Sequence, residues 1–159
     1  MGLLDRGNGS RIGFFVLHFF QFVLAIAVCG LYGTDLDNAR KAGKYADGKW
    51  TFAEVVAVAT TLSTFLLLVL VKWTQHIQHH PIFAWETVLF ILWIVVFAIF
   101  GTMYIKEDPE GNADIQRMKN AVWVDLAEAL LFLIGSVVSF VYWWMHRGDK
   151  TRFTGRATV

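Results

Sequence analysis

The sequence predicts an all-α integral membrane protein of four spanning helices, and three observations carry that prediction. Hydrophobic residues make up 56% of the 159-residue chain and charged residues only 17%, where a soluble domain carries about 25% charged. Mean hydropathy is +0.49. The apolar residues gather in four runs, each near the roughly 20 residues that cross a bilayer at about 1.5 Å per residue. Six tryptophans (Trp50, Trp73, Trp85, Trp123, Trp143 and Trp144) fall at the ends of those runs, where amphipathic rings settle at headgroup level. Only Trp93 sits in the middle of one.

Residues 1–11 read as a short cytosolic segment ahead of the first span. That span, 12–32 (IGFFVLHFFQFVLAIAVCGLY), exceeds the usual apolar core of a signal peptide, and no small-residue cleavage site follows it cleanly. It reads as an uncleaved anchor. A polar loop of about 19 residues (GTDLDNARKAGKYADGKWT) leads to the second span, 52–73. A short His-rich turn separates this from the third, 82–104. A charged loop, IKEDPEGNADIQRMKN, then precedes the fourth, 121–145, and the domain closes near 147 with a basic tail at 148–159. No proline interrupts a span, since Pro81 and Pro109 lie at edges or outside. Broken helices and midplane acids mark transporters, so this pattern speaks against transport.

Four spans put both termini on one side. Lys and Arg, which choose that side, tie at seven against seven. The histidines of the turn tip the reading toward cytosolic termini. Asn8-Gly9-Ser10 is a glycosylation acceptor usable only if the termini are lumenal. The single cysteine, Cys29, excludes an intrachain disulfide. A net charge of +1 gives no pull toward nucleic acid.

The charged loop with the start of the last span, YIKEDPEGNADIQRMKNAVWVDL, and the segment LYGTDLDNARKAGKYADGKW resemble fungal proteins of the MARVEL-domain class. The resemblance spans about 11–147 and is specific in those two outer segments. It implies a four-helix bundle with cytosolic termini and a role in lateral membrane organisation or vesicle trafficking at the plasma membrane. It brings no catalytic residue and no cofactor. Membrane lipids, other integral membrane proteins or further copies of the chain are the partners it suggests. An accessory subunit of a pump or synthase is the first alternative, and a small ion or proton transporter the second.

Ionisable residues inside spans are costly and mark candidate sites. Asp125 and Glu128 share one helical face at i and i+3. With a helix start near Asn120 they lie at depths of about 7 and 12 Å, and Glu54 enters the same leaflet on the second helix. Lys49, Lys119, Arg117 and the run Arg40, Lys41 and Lys44 are nearby cations. The three acids form a polar bundle mouth, a docking site for a partner's basic residue, or a cation or proton site. His18 and Gln21 form an intramembrane polar pair suited to a hydrogen bond with a neighbouring helix.

His76, His79 and His80 have a spacing that fits one helix face, but lack cysteine and offer only Glu86 as a carboxylate. No metal is expected. Small residues recur at packing spacings: Ala25, Cys29 and Gly33, then Ala53, Ala57 and Thr61, and finally Gly135 and Ser139. Arg147, Lys150, Arg152 and Arg156 form a patch suited to anionic lipid headgroups.

Overall fold

A computed structural model describes residues 6–45, 47–70 and 80–146, with side chains described for 12–45, 47–69 and 82–145. Four α-helices follow one another: α1 Arg6–Lys41, α2 Gly48–Leu70, α3 His80–Tyr104 and α4 Ala113–His146. All four are long and apolar enough to cross a membrane. They form a four-helix bundle. The α1–α2 and α3–α4 hairpins pack along their lengths, α1 and α4 join them, and α2 meets α3 more sparsely.

Four helix ends lie four or more residues outside the sequence reading, which stopped each helix where polarity began; one is the start of α1, at Arg6 rather than residue 12. The chain stays helical past Tyr32 to Lys41 because Asp37 pairs with Lys41 at 2.6 Å and Arg40 at 2.9 Å, the i+4 and i+3 spacings that support a helix surface. The helix stops at Gly43, whose φ of +64° suits a residue without Cβ. Gly43 N–H donates to the Arg40 carbonyl at 3.1 Å and Lys44 N–H to the Ala39 carbonyl at 3.0 Å, the paired bonds of a Schellman cap.

The α2 helix starts at Gly48 because Asp47 caps it, its Oδ1 accepting from Lys49 N–H at 3.0 Å. The α4 helix starts at Ala113, well before residue 121. Asn112 is its cap, with Oδ1 accepting from Asp114 N–H at 2.9 Å. The turn before it has positive φ at Glu110 (44°) and Gly111 (84°), closed by Asn112 N–H donating to the Pro109 carbonyl at 2.6 Å.

The interior is filled with large side chains. Trp93, Tyr32, Phe100, Phe132 and Leu89 are fully enclosed, and Ala53, Ala57, Ala121 and Ala129 let the backbones close around them. The outward faces carry exposed apolar residues on every helix, such as Phe15, Phe19, Leu62, Phe65, Ile91, Val137 and Val138. This arrangement, with small and polar residues enclosed and aliphatic and aromatic side chains turned outward, is that of a bundle solvated by lipid.

Candidate functional site: the buried polar layers

Two polar layers lie inside the bundle. At the end nearer the termini, His18 of α1, Glu86 of α3 and Ser139 of α4 meet. His18 Nδ1–H donates to the Phe14 carbonyl at 2.9 Å, which turns Nε2 toward Glu86 Oε1 at 3.4 Å. Ser139 donates to Glu86 Oε2 at 2.8 Å. Gly135 makes room for the carboxylate, because a Cβ there would lie 2.8 Å from Glu86 Oε1. Gln21, one turn farther along α1, is fully buried, and neither of its amide atoms has a protein partner.

At the loop end, Tyr32 of α1 donates to Asp125 Oδ2 of α4 at 2.6 Å. Glu128 sits one turn deeper, fully enclosed, with both carboxylate oxygens unpartnered. The two layers share a register: Tyr32 follows His18 by 14 residues, and Asp125 precedes Ser139 by 14. Because α1 and α4 rise equally per residue, both layers close only in this antiparallel alignment. Between them, Trp93 Nε1–H donates to Thr60 Oγ1 at 3.1 Å, joining α3 to α2. Thr87 and Ser136 hydroxyls meet at 2.8 Å between α3 and α4.

Several residues singled out in the sequence come together. The small-residue faces lie at helix contacts: Cys29 Sγ is 3.9 Å from Thr61 Oγ1, Gly33 faces the Glu54 carboxylate, and Ala25, Ala53 and Ala57 are buried. Other groupings change. Asp125 and Glu128 are wholly enclosed within the bundle. Glu54 shares the level of Asp125, because it faces Gly33, the residue after Asp125's partner Tyr32. Glu128 lies a turn away from that level.

Four of the expected cations pair elsewhere. Arg117 bridges Asp35 and Asp114, Arg40 and Lys41 hold Asp37, and Lys119 Nζ donates to the Glu107 carbonyl at 2.9 Å. Among the described residues no cation pairs with Glu54, Asp125 or Glu128. Glu86, which the sequence offers only as a carboxylate near the histidine turn, lies instead between His18 and Ser139 inside the bundle. A lone acid four residues inside an apolar run was the available signal.

His76 and His79, and Arg147, Lys150, Arg152 and Arg156, lie outside the described residues, as does the side chain of His80. No His, Cys, Asp or Glu group that could hold a metal occurs among the described residues.

A cavity of about 470 Å³ opens at the loop end, between the polar extension of α1 and the first turns of α2 and α4. Asp35, Lys44, Asp47, Trp50, Tyr104 and Asp114 line it. No family model, curated protein or solved structure matches the chain. The four-helix membrane bundle therefore stands on the helices themselves.

Proposed function

We propose that this chain is a non-enzymatic membrane component that acts laterally. It binds neighbouring integral membrane proteins or further copies of itself, together with lipid. Its setting is the plasma membrane with both termini cytosolic, and its work is the organisation of lateral domains or vesicle traffic. One observation carries this reading. The interior hydroxyl, indole and His18–Glu86 contacts each join one helix to another, while the outward faces offer aliphatic and aromatic side chains. Interior polar groups of this kind fix a bundle and leave its outer faces for contacts in the bilayer plane. The outer-loop resemblance to MARVEL-class proteins supports the same role.

Energy transfer between two fluorophore-tagged populations, reconstituted at falling protein-to-lipid ratio, tests it. Transfer above that of random proximity supports lateral association. Transfer that tracks dilution alone sinks self-association and leaves lipids and other proteins as the neighbours.

A second reading, ion or proton transport, is favoured by Glu128, an acid enclosed in the bundle without a partner. Proteoliposomes loaded with a pH dye separate the two. The lateral reading predicts no flux above empty vesicles, and flux abolished by Glu128→Gln would establish transport.

A further inference from the structure

We propose that the bundle has a second register, reached when the α1–α2 hairpin slides by three residues along the α3–α4 hairpin. The polar groups left without partners repeat the partnered ones at a fixed offset. Gln21 follows His18 by three residues on α1, and Glu128 follows Asp125 by three on α4, a spacing that keeps each pair on one helical face. Neither amide atom of Gln21 and neither carboxylate oxygen of Glu128 has a hydrogen-bond partner, and all four atoms are closed to solvent. No surface is left on them for water or a ligand, so only another side chain can answer them.

One slide answers both. Because α1 and α4 are antiparallel, a shift of three residues, about 4.5 Å, carries Tyr32 from Asp125 to Glu128. The same shift carries Gln21 to the place that His18 now holds beside Glu86 and Ser139. The chemistry matches at both places. The Tyr32 hydroxyl donates to either carboxylate, and the Gln21 amide can donate to Glu86 Oε1, which accepts no hydrogen bond in the present register. The opposite slide matches nothing: it sends Tyr32 to Val122 and puts Phe15 in the place of His18.

The packing lets each hairpin move as a unit. Cys29 with Thr61 and Gly33 with Glu54 stay together on α1 and α2. Glu86 with Ser139 and Thr87 with Ser136 stay together on α3 and α4. Between the hairpins, α1 meets α4 and α2 meets α3 more sparsely than the helices meet within them. Trp93–Thr60 and Arg117–Asp35 also cross that seam, and they keep the present register the major one. One element ratcheting past another is a known route between two packed states. The slide would step one hairpin against the other at both membrane faces. It goes beyond the lateral reading and stands without it.

Double electron–electron resonance on the full chain in nanodiscs tests it. Spin labels go on Ile12→Cys and Trp123→Cys, exposed positions near opposite ends of α1 and α4, in a Cys29→Ser background. The slide moves residue 12 away from residue 123, so the second register reads about 4.5 Å longer. His18→Ala with Asp125→Ala removes the present partners and should make the longer distance dominant. Adding Gln21→Leu and Glu128→Leu should restore the shorter one.

The wild-type distribution should carry a minor component at the longer distance, which Gln21→Leu with Glu128→Leu alone removes. That pair touches only side chains without partners in the present register, so it decides the matter even if the first pair fails to fold. An unchanged distance in His18→Ala with Asp125→Ala would overturn the proposal. So would a wild-type distribution without the longer component, or one whose longer component survives Gln21→Leu with Glu128→Leu.

Discussion

Glu86 of α3 lies across the bundle interior from His18 of α1, carboxylate oxygen to imidazole Nε2 at 3.4 Å, and Ser139 of α4 donates to the same carboxylate. One side chain therefore ties three helices together at a level shielded from water. Glu86 Oε1 and His18 Nε2 make no hydrogen bond, so removing Glu86 takes the acceptor from the buried Ser139 hydroxyl, at about 1–3 kcal/mol for the orphaned group. Glu86→Ala should lower the melting temperature in detergent most, and Ser139→Ala least, near the 0.6 kcal/mol or so average for hydrogen bonds in membranes. Glu86→Gln should fall between. Thermal unfolding of the three variants would reject the account if Glu86→Ala were the mildest.

Gly135 and Glu86 must fit one space. Gly135→Ala places a methyl 2.8 Å from Glu86 Oε1 and 3.2 Å from Leu17 Cδ2, so it should destabilise by about 1–3 kcal/mol through overpacking. Adding Glu86→Ala should recover part of that loss. Gly30 has nothing within 4 Å of its added Cβ, and Gly30→Ala should be neutral or stabilising by up to about 1 kcal/mol. A double-mutant cycle between positions 86 and 135, with Gly30→Ala as the control, measures the coupling.

The four membrane helices were legible in the sequence because run length and hydropathy are local properties. Helix ends were misplaced because polarity was read as loop. The signals that set them, Gly43, Asp47 and Asn112, were local too and pointed to longer helices. The Glu86 contacts were illegible for a different reason. They pair residues 53 and 68 positions apart, and the register that joins them exists only once the helices pack. His18, Gln21, Asp125 and Glu128 stood out as polar residues in apolar runs, and the fold encloses all four.

Tyr32 and Asp125 close the second polar layer at 2.6 Å. Tyr32→Phe keeps the ring against Phe100, centroids 4.6 Å apart, and removes only the hydroxyl. It leaves neither Asp125 oxygen with a protein partner, since Oδ1 already has none. A loss toward the upper end of the membrane range, about 1.7 kcal/mol, is expected. Asp125→Asn retains an acceptor and should cost less. Unfolding curves for both variants check the order, which reverses if the bond contributes nothing.

Arg117 reaches from α4 to Asp35 on the α1 extension and to Asp114 on its own helix. Partly exposed pairs of this kind contribute up to about 1 kcal/mol. Arg117→Ala should therefore speed amide exchange over residues 34–41 by up to roughly fivefold. Arg117→Lys should recover little, because an ammonium cannot match the two-armed geometry. Hydrogen–deuterium exchange by mass spectrometry reads this segment directly. Unchanged exchange would place the order of the α1 extension in its Gly43 cap and Asp37 pairs.

The central claim is that the chain works through what lies beside it in the membrane. Native mass spectrometry of protein released with its surrounding bilayer from its own membrane is the most direct measurement. The account predicts masses that carry further copies, neighbouring proteins or retained lipid. A bare single chain, with neither a protein neighbour nor lipid bound, would contradict it.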